Sequence, residues 1–87
     1  MGLTIMRHIK DFKHSVKIKN DSKIPVSELG AWFRENGMGS CKNAGFSNVI
    51  ENGVEESERC IYISKYEYIY FKFLTKEDAA LFKLRWT

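Results

Sequence analysis

The stretch 67–86, EYIYFKFLTKEDAALFKLRW, constrains this chain most, because it specifies two elements and the boundary between them. Ile69, Phe71 and Phe73 alternate with Tyr68, Tyr70 and Lys72. That is the two-residue period of a strand with one apolar face. Thr75 then opens a Thr-Lys-Glu-Asp sequence, where its hydroxyl can accept a hydrogen bond from an unpaired amide of the first helical turn. Glu77 and Asp78 fall where the positive end of a helix dipole favours acids. Lys83 and Arg85 fall where its negative end favours bases. Pattern, cap and charge together predict a strand followed directly by a helix.

Upstream, Cys60 to Ser64 reads as a strand with Ile61 and Ile63 on one face and Tyr62 on the other. A tight connection through Ser64-Lys65-Tyr66 would pair it antiparallel with the strand that follows. That pairing predicts Ile61, Ile63, Ile69, Phe71 and Phe73 on the core face, and Tyr62, Tyr68, Tyr70 and Lys72 on the reverse. Val16 and Ile18 alternate with Lys17 and Lys19, another strand with one wet face, and Asn20-Asp21-Ser22 ends it with turn chemistry. Residues 1–14 carry competing helical and strand periods and favour neither.

A first helix is expected from Pro25 to Asn36. Proline suits its first turn, where no backbone donor is needed. Val26, Leu29, Trp32 and Phe33 share one side, and Asn36-Gly37 supplies a stop. Gly30 weakens this helix, which suggests that something passes close to its backbone. Residues 38–59 are irregular. Phe46, Val49 and Ile50 fit a short strand, and Asn52-Gly53 is a hairpin signal. The Val-Glu-Glu-Ser-Glu-Arg that follows suits an exposed acidic loop or protruding hairpin.

With 87 residues the chain makes one small domain, residues 1–87, whose core must come from 12 aromatics and the aliphatics around them. The element order predicts an α+β fold: a small antiparallel sheet of three or four strands with two helices on one face, a full or partial ferredoxin-like arrangement. No apolar run approaches the roughly 20 residues that span a bilayer, so no membrane partner is expected. Arg7, His8 and Lys10 interrupt the apolar residues near the start, and no signal peptide is expected.

Net charge is +3, but unevenly placed: residues 7–23 carry +4, residues 51–58 carry −4, and residues 59–87 carry +3. A chain built mainly to hold nucleic acid usually has a less divided basic excess. Cys41 and Cys60 stand in no close metal-ligand spacing, and His8 and His14 do not complete a zinc pattern. Two free thiols in a reducing compartment is the simplest expectation, and a disulfide between them stays open. Glu51, Glu55, Glu56 and Glu58 lack the Asp-rich, glycine-turned form of a calcium loop. Gly37-Met38-Gly39 lacks the lysine of a phosphate loop. No cofactor, metal site or catalytic residue is therefore expected, and the chain reads as non-enzymatic.

The Phe71-Lys72-Phe73 strand end, followed by Glu77-Asp78-Ala79-Ala80-Leu81-Phe82-Lys83-Leu84-Arg85-Trp86, resembles small proteins encoded by tailed bacteriophages. Many of those also have an aromatic-containing helix upstream, as in Ala31-Trp32-Phe33. The resemblance covers residues 60–87 and, more loosely, 26–36. It implies a phage origin, expression in the cytoplasm of an infected bacterial host, and binding to a host or phage macromolecule. It implies no defined activity and assigns no functional residue.

Two binding functions fit. The first is protein–protein interaction with a host defence or regulatory factor, in the manner of an inhibitor. Tyr62, Tyr68, Tyr70 and Lys72 are the expected anchors and Glu55, Glu56 and Glu58 the expected charge contacts. The second is single-stranded nucleic-acid binding through the same aromatic face. The last helix adds a question. Ala79, Phe82 and Trp86 cluster on one side, and Ala80, Leu81 and Leu84 on another. A small domain is expected to bury both stripes; an exposed one would mark a partner or homo-oligomer surface.

Overall fold

The structure is a computed structural model that describes residues 6–21, 25–45 and 52–87. In chain order the elements are β1 (Met6–Arg7), a 3-10 turn (Ile9–Asp11), β2 (His14–Lys19), α1 (Val26–Glu35), β3 (Lys42–Asn43), β4 (Val54–Glu55), β5 (Cys60–Lys65), β6 (Tyr68–Phe73) and α2 (Lys76–Trp86). The strand expected at Phe46, Val49 and Ile50 lies outside the described residues. Among the described residues no helix is long and apolar enough to cross a membrane.

The helices form for the reasons their sequences give. Thr75 caps α2, its hydroxyl oxygen accepting from the Asp78 amide at 3.2 Å. The acids and bases of the first and last turns stand as the dipole favours. Asn36 closes α1, its side-chain amide donating to the Trp32 carbonyl at 2.8 Å. Leu29 and Phe33 are the buried residues of α1. Val26 is 75% exposed, on the rim of a cavity that it shares with Leu29 and Phe33. Gly30 borders the same cavity, and among the described residues a Cβ there would meet only the flexible Arg34 guanidinium, at 3.5 Å. Among the described residues, none makes the expected close approach to its backbone.

Among the described residues the main sheet has four strands in the order β2-β6-β5-β3. β2 and β5 each pair antiparallel with β6, whereas β3 pairs parallel with β5. The sheet is thus mixed, not antiparallel throughout. α1 carries the chain back across the sheet, so β3 runs in the direction of β2. β5 runs that way too, and β3 joins it in parallel. Two strands separate β2 from β3. In a ferredoxin-like split βαβ unit one strand would stand there.

Register overturns the expected faces. β5 and β6 are joined by two residues, Tyr66 and Glu67, and Lys65 pairs with Tyr68. Tyr66 takes a left-handed φ of 49° to make the turn this tight. The expected three-residue connection would pair odd-numbered residues with odd. The observed one pairs odd with even, which moves all of β5 to the opposite face relative to β6. Tyr62 now stands beside Phe71, and Ile61 beside Lys72.

Two small cores result, one on each side of the sheet. On the helix side, Val16, Cys60, Phe71 and Phe73 pack with Leu29 and Phe33 of α1 and Phe82 of α2. Phe33 and Phe82 stack with centroids 5.7 Å apart and planes 5° from parallel. Tyr62 joins this side, its ring 5.9 Å from Phe71. On the other side, Ile61 is buried with Phe12, Ala44 and Val54, and Ile9, Ile63 and Leu74 pack around them.

The acidic segment is not a free loop. Val54–Glu55 pairs antiparallel with Met6–Arg7 in a two-stranded ribbon. Gly53, at φ +80°, lets this ribbon close, since a Cβ there would strike the Arg7 carbonyl. Glu58 is only 6% exposed. Its carboxylate accepts from the Ser40 amide at 2.9 Å, the Ser40 hydroxyl at 2.8 Å and the Cys41 amide at 3.1 Å. Gly39, at φ +76°, leaves room for that carboxylate, which a Cβ would strike. Next to it, Arg59 Nη2 reaches both carboxylate oxygens of the buried Asp78, at 2.8 and 2.7 Å, and ties β5 to α2.

Of the two stripes on α2, one is internal: Phe82 is buried, and Ala79 and Trp86 pack against the helix-side core. The other is not. Ala80 is exposed, Leu81 is 44% exposed and Leu84 is 85% exposed. One helix face suffices to cover the sheet, so the expectation that both stripes would be buried is corrected.

Candidate functional site

On the sheet face away from the helices, pairing sets the side chains in three rows. Ser15, Lys72 and Ile61 form the first, Lys17, Tyr70 and Ile63 the second, and Lys19, Tyr68 and Lys65 the third. The second core covers the Ile61 end. Towards the other end, among the described residues, the face carries half-buried Tyr68, Tyr70 and Lys72 with exposed Lys17, Lys19 and Lys65. No Asp or Glu occupies any position of these rows.

The lysines and rings are in contact. Lys17 Nζ lies 4.2 Å from the centroid of the Tyr68 ring, and Lys65 Nζ lies 6.0 Å from that of Tyr70. Both are diagonal neighbours across adjacent strands, at the distances where an ammonium is drawn to an aromatic face. The two rings lie two residues apart on one strand, about 7 Å along it. Between the rows is a depression of about 300 Å³ lined by Ser15, Ile63, Lys65, Tyr70 and Lys72. It adjoins a larger one of about 690 Å³, which shares Ile63 and Lys72 and adds His8, Lys10 and Lys13 to its walls. Basic side chains thus continue along the groove beyond the tyrosines.

The fold gathers some of the expected site residues and separates others. Tyr68, Tyr70 and Lys72 stand together on this face. Tyr62 does not, because the two-residue turn places it on the helix side. Glu58 is no charge contact, since its oxygens are occupied within the fold. Glu55 is exposed on the ribbon, and Glu56 lies 4.0 Å from Arg7 Nη2 in the turn after it, so neither is on the sheet face. Lys17, Lys19 and Lys65 were not among the expected residues. The alternation of Lys17 and Lys19 with Val16 and Ile18 marked a wet face in the sequence. That this wet face adjoins the tyrosines depends on the pairing of β2 with β6.

Among the described residues, no three His, Cys, Asp or Glu side chains come together as a metal-holding group. What the face offers is cationic and aromatic binding chemistry. No family model, curated protein or solved structure matches this chain.

Proposed function

We propose that this chain is a non-enzymatic binding domain that takes single-stranded nucleic acid on this sheet face. The observation that carries the reading is the placing of Tyr68 and Tyr70 among Lys17, Lys19, Lys65 and Lys72, with no acid in the rows. Tyrosine rings stack on bases without regard to sequence, and lysines meet the phosphates between them. Lys17, which lies over the Tyr68 ring in the free protein, would swing to a phosphate as a base takes its place. The divided charge of the whole chain does not oppose this, because the acids of 51–58 that the structure describes lie off the sheet face.

Fluorescence anisotropy with short single-stranded DNA and RNA oligonucleotides tests the proposal. Tyr68→Ala and Tyr70→Ala should each cost about 1–3 kcal/mol of binding. Removing Lys17 and Lys65 should flatten the salt dependence by about 0.7 in log–log slope for each phosphate left without its lysine. Absence of binding at low salt, or undiminished binding by the double tyrosine variant, would overturn it.

A second reading rests on a separate observation, the exposed Leu81 and Leu84 of α2. Exposed apolar stripes serve protein partners, and the resemblance to small tailed-phage proteins supports a host defence or regulatory factor as the target, met in the cytoplasm of an infected cell. A Leu81→Glu/Leu84→Glu variant that recovers the same bacterial proteins as wild type, in the same amounts, would remove this reading.

A further inference from the structure

Cys41 and Cys60 are both free thiols and both buried. The parallel pairing of Lys42 with Ile61 and of Asn43 with Tyr62 carries back by one residue to Cys41 beside Cys60. Laterally adjacent strand positions lie about 5 Å apart, within the Cα separation that a disulfide spans. The two Sγ atoms are 2.8 Å apart. Nineteen positions separate them in sequence, so the fold alone brings them together.

The two thiols are not equivalent. Cys60 is fully enclosed, and its thiol also donates to the Ile61 carbonyl at 3.6 Å. Burial, and then the neighbouring Cys41, push its pKa up, which keeps it a thiol. Cys41 instead borders the open cavity of about 290 Å³ beside α1, with Ser40 and Gly30. A peroxide molecule is small enough to enter there. Cys41 also holds a left-handed φ of 52°, which a residue with a Cβ rarely adopts. Its amide is anchored on Glu58, so the residue is held beside the cavity with its sulfur against that of Cys60.

We infer that Cys41 and Cys60 are a peroxide-driven dithiol–disulfide site, in which Cys41 is oxidised first and Cys60 resolves it. The Cys41 sulfur attacks one oxygen of hydrogen peroxide as its proton leaves, and the O–O bond breaks. The leaving hydroxide takes up a proton as water, and Cys41 becomes a sulfenic acid. The Cys60 sulfur then attacks Cys41 Sγ and the S–O bond breaks. The departing hydroxide takes the Cys60 proton and leaves as a second water. Two thiols lose two electrons, and one peroxide is reduced to two waters. The bond formed staples the start of β3 to the start of β5, the edge pair of the sheet. This site is independent of the nucleic-acid face, and its test does not read nucleic-acid binding.

Hydrogen peroxide is added to the folded, reduced full chain, and the product is followed by intact mass and peptide mapping. The expected product is a monomer lighter by two hydrogens, with Cys41 linked to Cys60, reversed by dithiothreitol. Its urea midpoint should lie above that of the reduced chain. Dimedone present during oxidation should label Cys41 roughly tenfold or more over Cys60. That wild-type measurement stands even if a cysteine variant fails to fold. In folded Cys60→Ser the dimedone adduct should accumulate on Cys41, and Cys41→Ser should give no adduct. Disulfide-linked dimers, an unchanged mass in the folded state, or preferential labelling of Cys60 would each overturn the inference.

Discussion

At the scale of single residues, the acidic segment shows how far identical chemistry can diverge. Glu55, Glu56 and Glu58 look alike in sequence, yet only Glu58 is enclosed, with three donors on its carboxylate. Removing a partner from a buried group leaves the other donors unpaired, at a cost of about 1–3 kcal/mol. Glu58→Ala should therefore lower the stability of the chain by about that much in urea unfolding. Glu55→Gln and Glu56→Gln should stay within about 0.5 kcal/mol of wild type. Equal effects at all three positions would contradict the cradle described for Glu58. Its one trace in the sequence is Gly39-Ser40-Cys41, a glycine and two further amides, and nothing nearby names the acid that fills it. Tyr62 makes the same point from the other side. Its alternation with Ile61 and Ile63 was legible, but which face held the tyrosine was not.

At the scale of elements, α2 separates what a cap fixes from what packing fixes. Thr75 and the charges at either end specify where the helix runs, and the observed bounds follow them. The two stripes were legible as stripes, but not which was internal. Phe82→Ala should cost about 3–5 kcal/mol, because it opens a cavity between both helices and the sheet. Leu84→Ala, two residues on and on the opposite, exposed side of the helix, should change stability by no more than about 0.5 kcal/mol. Thermal or urea unfolding of the pair measures the asymmetry, and similar losses would show the outer stripe to be packed. The hairpin of β5 and β6 carries a comparable lesson. Both strands were readable from period-two alternation. The faces they share turned on whether two or three residues connect them, a distinction that Ser64, Lys65, Tyr66 and Glu67 do not settle by type, since none is a glycine or proline.

At the scale of the whole molecule, four lysines gather on a surface that linear charge counting does not reveal. Lys17, Lys19, Lys65 and Lys72 come from three strands and stand as neighbours without an acid among them. Like charges so placed repel, and salt relieves the repulsion. Raising salt from about 50 to 200 mM should therefore raise or preserve the melting temperature of the free chain while weakening its hold on an oligonucleotide. A melting temperature that falls with salt would show that attractive pairs dominate the face instead. The sequence by itself determined the strand and helix of 67–86, the first helix, the wet and dry sides of β2 and β6, and the α+β class. Those features depend on residues two to four positions apart, whose hydrogen bonds and apolar spacing are local. Only the tertiary structure decided that β2 lies against β6, that β3 enters in parallel, that Tyr62 faces the helices, and that Cys41 meets Cys60. Each of these joins residues distant in the chain, and strand parity turns on a single residue of loop length. The segment 67–86 organises the fold as its pattern indicated, while the side of the sheet on which its neighbours stand was settled by the turn before it.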